Sequence, residues 1–468
     1  MTRLENTARA IQHFSAIHKS IFQLLKPMKR LLTVVTFSFL FLMGLPHAGF
    51  TETDGSVKIT KDFLPTLTLR EAIAKTLLHN PELAAFSLEK RVREARTLQS
   101  GLLPNPSLEI SVEDLAGSGN FNGFGRSETT IQLGQLIELG GKRSARVQMS
   151  RLSEKLADWD YETKRMDVLT NVSKTFIDVL QFQQKVLLAR DLVKLWTQFL
   201  NAVSERVAAG KVAAIEKTKA EVFHSKIQID LKRTELELEN ARRNLSAFWG
   251  EPRPRFKSAT GDLLTVSPVP SSETMIERLS NNPNLKRWAT ERAQRQATLD
   301  FELSQRVPDV TVRGGYRRFE ETDDHAFTFG ISVPLQLFDR NQGAIAEARN
   351  QLDKSREERR AAELQIKTTF LRAYNVLVFS HTLVTHIKTR LLPGAQKAFD
   401  AVNEGYRFGK FNFLDVLDSQ KTLFQARDQY LDALADYHKA VAEVERLTGE
   451  SLAITTQPSN KSEGNQRP

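Results

Sequence analysis

The stretch Phe327-Thr328-Phe329-Gly330-Ile331-Ser332-Val333-Pro334-Leu335-Gln336-Leu337 decides how this chain folds. Its odd-numbered positions are all large and apolar, whereas its even-numbered ones are small or polar. That is the two-residue period of a strand with one greasy and one wet face. Two other segments share it. Leu108, Ile110 and Val112 alternate with Glu109, Ser111 and Glu113, and Ile131, Leu133, Ile137 and Leu139 stand against Gln132, Gly134 and Glu138. Strands are therefore predicted over about 107–115, 127–139, 309–319 and 325–337. Two-faced strands suit either a sheet packed on a core or a barrel between lipid and water. The Gly, Ser and Thr of the polar face favour a wet lumen, and about 9–11 tilted residues cross a bilayer as a strand. The hairpin tips, 116–125 rich in Gly and Asn and the acidic 320–324, would then be external loops. Four strands cannot close a barrel, and an open edge in lipid is forbidden. Several copies must pool their strands, and three would give twelve.

Working outward, the chain is written twice. Asn80-Pro81-Glu82-Leu83 matches Asn282-Pro283-Asn284-Leu285, and Pro106 matches Pro308. Gln135-Leu136-Ile137-Glu138-Leu139 matches Val333-Pro334-Leu335-Gln336-Leu337; Gly210-Lys211 matches Gly409-Lys410, and Gly250 matches Gly449. The offset is about two hundred residues throughout, the mark of a duplicated unit. The units span 62–250 and 273–450, joined by a Pro-rich linker or equatorial segment, 251–272. Each reads helix, strand, strand, very long helix, helix.

From 143 to 209 there is neither Gly nor Pro, so one continuous helix of roughly 100 Å is possible at about 1.5 Å per residue. The flanking helices, 68–100 and 211–248, are about half as long and would stack end to end beside it. In the second unit Pro393-Gly394 follows Leu392, which predicts a kink or break there. The return helices carry Ile227, Leu231, Leu238, Leu245 and Phe248, and Leu423, Tyr430, Leu434, Tyr437, Val441 and Val444, with Thr234, Ala241 and Arg427 as weaker steps. These four- and three-residue steps are coiled-coil spacing. An ordinary helical bundle would explain the helices equally well, but not the paired two-faced strands. The predicted fold class is thus mainly α with a small β part.

Near the N-terminus, Lys29-Arg30 precede an apolar run from Leu31 to Leu45, and Pro46, His47, Ala48 and Gly49 offer a cleavage point. Residues 1–48 read as an extension plus a secretory signal, with Met28 a second candidate start; a retained membrane anchor is the competing reading. Residues 451–468 read as a disordered tail. The formal net charge is +10, of which 1–48 supply +5, from six Lys/Arg against one Glu. No basic patch interleaved with aromatics occurs, so no nucleic-acid partner is expected. Mean hydropathy is −0.36, unlike a polytopic helical membrane protein, and with no cysteine there is no thiol to pair or to acylate.

The region from Leu67 to Gly449 resembles the TolC-like outer-membrane efflux factors. Gly405-Tyr406-Arg407-Phe408-Gly409, followed by Asp415-Val416-Leu417-Asp418, is similar to that family's helix-hairpin motif, with Gly210 at the matching turn of the first unit. Leu103-Pro104-Asn105-Pro106, the segment 135–143 and the segment 317–343 are similar to its heavy-metal branch, the CzcC-like cobalt–zinc–cadmium group. The resemblance implies a homotrimer with a twelve-stranded transmembrane barrel in outer-membrane lipid and an α-helical tunnel in the periplasm of a Gram-negative bacterium, closed at its inner end. It implies a periplasmic membrane-fusion adaptor and an inner-membrane proton antiporter of the resistance-nodulation-division (RND) type as partners. It also implies gate roles: Asp415 and Asp418 as acidic rings lining the closed entrance, and Tyr406 as a latch. By the internal repeat, Glu216 is the latch's acidic partner. The family's latch arginine is matched here by Phe411, with Lys410 adjacent. Without the motif, Asp415 and Asp418 would read as acids complementing a helix dipole.

Searching for chemistry finds little. Gly140-Gly141-Lys142-Arg143 lacks the spacing and the Ser or Thr of a phosphate loop and reads as a turn before a helix. The nine histidines are scattered, and His381 and His386 lie five apart, off a common helical face. No catalytic residues, no cofactor and no tight metal site are expected. The predicted function is a passive exit duct of a tripartite efflux system, for heavy-metal cations (cobalt, zinc and cadmium, or copper and silver). The alternatives are a duct for drugs or other small solutes and a non-conducting periplasmic coiled-coil scaffold. A stand-alone porin would devote most of its chain to strands.

Overall fold

The computed structural model describes residues 66–450; the predicted secretory signal within 1–48 and the predicted tail at 451–468 lie outside the described residues. Chain order begins with a short strand, β1 (Thr66–Thr68), then α1 (Leu69–His79) and α2 (Pro81–Ser100). Where one helix over 68–100 was predicted there are two, because Asn80 leaves the helical region and Pro81 starts the next helix without needing an N–H partner. The repeat uses this break twice. The Asn80 side chain accepts from Leu83 N at 2.9 Å and donates to Phe248 O at 2.8 Å. Asn282 likewise accepts from Asn284 N and donates to Leu447 O, both at 2.9 Å. Each asparagine caps one helix N-terminus and ties it to the C-terminus of its own unit's return helix.

The first strand pair is β2 (Ser107–Glu113) and β3 (Glu128–Ile137), and the second is β5 (Val310–Phe319) and β6 (His325–Ser332). β6 stops at Ser332, five residues short of the predicted end, since Pro334 has no N–H to give a ladder. The four strands form one antiparallel sheet in the order β2-β3-β5-β6. Between the pairs and around them run α3 (Lys142–Ala208), α4 (Ala214–Ala247), β4 (Ser258–Thr260), α5 (Ser272–Arg278), α6 (Pro283–Ser304), α7 (Gln342–His386), α8 (Leu392–Arg407) and α9 (Phe413–Thr448). The expected interruption at Pro393 is a π turn over Ile387–Leu391 rather than a break. A single wider turn absorbs the missing proline N–H while the chain stays helical.

Helix α3 carries 67 residues and is the spine. Beside the sheet, α2, α3, α6 and α7 lie in that order; toward the hairpin turns the order is α4, α3, α9, α8. Every layer therefore has a first-unit element at one edge and a second-unit element at the other. Apolar clusters follow the layers: Val172, Phe176, Val179 and Leu245 around α3 and α4, and Phe370, Leu377, Leu434 and Val444 between α7 and α9. β1 and β4 form a small parallel pair, and farther along the linker Tyr437 brackets Ser267 by accepting from its N and donating to its O.

A ladder of ion pairs joins the two units along α3 and α9: Asp167–Arg446, Lys174–Glu443, Asp178–Lys439, and Lys185 between Asp428 and Asp432. Burial opposes the Lys185 charge, but its bonds to Asp432 and Asp428 outweigh that and raise its pKa. Burial likewise pushes Glu443 up, while Arg446 and Lys174 bring it below its ordinary value.

Candidate functional site

Two regions carry the candidate function, the polar face of the sheet and the helix-hairpin tips. Strand register assigns the faces. Leu108 pairs with Leu133 and Ile110 with Ile131; Ile131 pairs with Tyr316, Tyr316 with Phe327, Gly314 with Phe329 and Val312 with Ile331. All these share one face, and Phe329 and Ile331 are 87% and 75% exposed. A contiguous apolar patch of this kind does not stay in water. No described helix is long and apolar enough to cross a membrane.

The opposite face is built of polar rows. From the loop end inward they are Glu113-Glu128-Phe319, Ser111-Thr130-Arg317-Ala326, Glu109-Gln132-Gly315-Thr328, Ser107-Gly134-Arg313-Gly330 and Leu136-Thr311-Ser332. Arg317 bonds Glu128 at 2.7 Å and Thr130 at 2.9 Å and lies 3.5 Å from Glu113. Gln132 donates to Glu109 at 2.8 Å. Gly315 is required where it stands, because a Cβ there would lie 2.7 Å from Gln132 Cβ and from Ile131 O. Among the described residues, β2 and β6 each pair on one side only.

At the other end, the hairpins α3–α4 and α8–α9 turn by the same device. Gly210 and Gly409 have φ of 67° and 75°, and the following lysines close the helices through Lys211 N to Arg206 O and Lys410 N to Gly405 O. This is the left-handed glycine termination of a helix. Gly405 has a different reason to be glycine: a Cβ there would overlap the Phe411 ring. Phe411, expected from the resemblance to stand at the latch-arginine position, packs its ring against Gly405 of α8.

The tip core gathers Trp196 and Phe199 of α3, Phe223 of α4, Tyr406 of α8, and Phe413 and Val416 of α9. Tyr406 is buried, its hydroxyl 3.5 Å from Glu216 Oε2, and the Arg206 guanidinium lies 4.7 Å from its ring centre. Burial raises the Tyr406 pKa, with Arg206 opposing and Glu216 reinforcing the rise. The structure therefore brings Tyr406 and Glu216 together across two hairpins of one chain. The cation beside them is Arg206, four residues before Gly210, which sequence reasoning missed; only its place in the last turn of α3 could have flagged it.

Asp415 is the third residue of α9 and completes a capping box: Asn412 N donates to Asp415 Oδ2 at 2.9 Å, and Asp415 N donates to Asn412 Oδ1 at 3.1 Å. Asp418 is exposed, and its carboxylate has no hydrogen bond or ion pair among the described residues. Trp196 Nε1 and Gln420 Nε2 are buried near the tip without a hydrogen-bond partner. Among the described residues no group of three or more His, Asp or Glu side chains is placed to hold a metal ion. Half-buried His438 bonds the Leu263 carbonyl instead.

The family described as Outer membrane efflux protein matches residues 72–251 and 276–450. The chain belongs to this family. The two matched segments overlap the two units read from the internal repeat. The Cobalt-zinc-cadmium resistance protein CzcC of Cupriavidus metallidurans is 36% identical over 383 residues, 82% of this chain and 90% of that protein. The Nickel and cobalt resistance protein CnrC of the same organism is 24% identical over 59% of this chain and 65% of its own length. A crystal structure of CusC, described in connection with transmembrane channel formation, superposes with a TM-score of 0.68 at 16% identity, covering 82% of this chain and 92% of that one. The fold is accordingly that of an efflux channel subunit, with a TolC-like helical barrel and a small sheet.

Proposed function

We propose that the chain is the outer-membrane exit duct of a tripartite efflux system for heavy-metal cations, working as a homotrimer with its sheet in the outer membrane and its helices in the periplasm. The similarity to CzcC across nine-tenths of that protein's length carries the metal assignment; CnrC points the same way. The trimer is supported by the two unpaired edges, β2 and β6. β6 runs antiparallel to the β2 strand of a neighbouring copy, so three copies close a barrel with no edge left in lipid. The same step sets α7 against a neighbour's α2 and α8 against a neighbour's α4.

A duct needs no covalent step. Its work is to stay shut, open on docking, and pass ions. The tip holds the gate: Tyr406 on Glu216 clamps α8 to the α3–α4 hairpin, and Asp418, repeated by three-fold symmetry with Asp415 behind it, gives the closed entrance an acidic ring that draws cations and repels itself. A periplasmic membrane-fusion adaptor and an inner-membrane RND proton antiporter supply selection and energy upstream.

The test is deletion of the gene followed by growth on graded zinc, cobalt, cadmium, copper and silver beside a drug panel. Loss of metal tolerance restored by the wild-type chain is the expected result. Hypersensitivity to drugs alone would overturn the metal assignment.

A further inference from the structure

The polar face of the sheet carries two arginines, and they are not alike. Arg317 is surrounded by acceptors from Glu128, Thr130 and Glu113. Arg313, four residues earlier on the same face, is exposed and makes no hydrogen bond or ion pair among the described residues. Its row is otherwise Ser107, Gly134 and Gly330. It is the one long side chain in a row of small ones, and a Cβ at Gly134 would lie 3.5 Å from Arg313 Cγ. Gly134 leaves the wall bare where the arginine stem crosses it.

We propose that Arg313 is the charge filter of the barrel: a basic ring, one row in from the helical end, that concentrates small inorganic or carboxylate anions and slows bare cations. The inference rests on the trimeric barrel proposed above. Closing the sheet turns this face inward, and three-fold symmetry places three guanidinium groups at one level. Arginine does not deprotonate in the physiological range, so the ring is positive at any working pH. At about 0.1 M salt the Debye length is about 10 Å, comparable with the half-width of such a lumen, and a low-dielectric wall focuses the field further. The rest of the face is acidic, with Glu109, Glu113 and Glu128 against the partnered Arg317, so the sign reverses only at Arg313. A divalent cation crosses this row most easily with anions balancing its charge.

The test uses the full chain reconstituted in planar bilayers under a potassium chloride gradient, with reversal potentials read during open bursts. At ionic strength of about 0.03 M, the potassium-to-chloride permeability ratio should rise about two- to fivefold in Arg313→Ala, rise further in Arg313→Glu, and stay near wild type in Arg313→Lys. Arg318→Ala, on the outer face, should leave it unchanged. Trimeric channels whose ratio ignores Ala and Glu at position 313, or shifts as much with Lys as with Ala, overturn the filter alone. A wild-type chain that forms no trimeric channel overturns the duct and the filter together.

Discussion

Replacing Tyr406 by Phe removes one oxygen and leaves the ring, its burial and its contact with Arg206 in place. The hydroxyl lies 3.5 Å from Glu216 Oε2, at the long limit of a hydrogen bond. A well-formed bond to a charged group contributes about 1.5–3 kcal/mol, so this contact is assigned about 0.5 kcal/mol per chain. If all three latches must release together, the closed state of a trimer loses about 1.5 kcal/mol, which is about a tenfold gain in the open-to-closed ratio. Glu216→Gln should raise openings by a similar or smaller factor, because a neutral amide still accepts weakly. The double variant should do no more than the stronger single one, since both remove the same contact. Single-channel recording reads the open fraction directly. An unchanged open fraction in Tyr406→Phe, or single effects that multiply in the double variant, would refute the latch.

The acidic residues of the tip should separate into two roles. Asp415→Ala should lower thermal stability by about 0.5–1 kcal/mol through the lost capping box, whereas Asp418→Ala should leave melting unchanged yet weaken cation selectivity in bilayers. Asn282→Ala should cost about 2 kcal/mol in denaturant titration, because a cap and a buried tie to Leu447 O vanish together, and Asn80→Ala should cost about the same. Burial depresses the His438 pKa, with Leu263 O and Asp262 opposing, so the folded protein holds it neutral. Its contribution is fully present above the unfolded-state value of about 6.5 and is lost as pH falls below it. Protection factors of the amides around Leu263, corrected for the intrinsic pH dependence of exchange, should therefore fall between about pH 7 and pH 5.5 in the wild type and change less in His438→Gln.

Much of this protein was legible in its residues because two periods dominate them. Strict alternation from Phe327 to Ile331 suits a strand and not a helix, and the 67-residue span without Gly or Pro has nothing to interrupt a helix, so both elements are readable from local spacing. Duplication announced itself through Asn80-Pro81 and Asn282-Pro283, through Gly210 and Gly409, and through Gly250 and Gly449, positions where the backbone conformation itself restricts the residue. What stayed hidden depends on partners distant in sequence. Arg206 reaches the Tyr406 ring across two hundred residues; Lys185 finds Asp428 and Asp432 only when α3 meets α9; and Arg313 differs from Arg317 solely because register places acceptors around one and glycines around the other. A local pattern fixes an element and its faces, since spacing along the chain sets which side chains share a side. Which charges are neutralised, and which stand free, is decided by through-space distances that exist only once the two units are packed together.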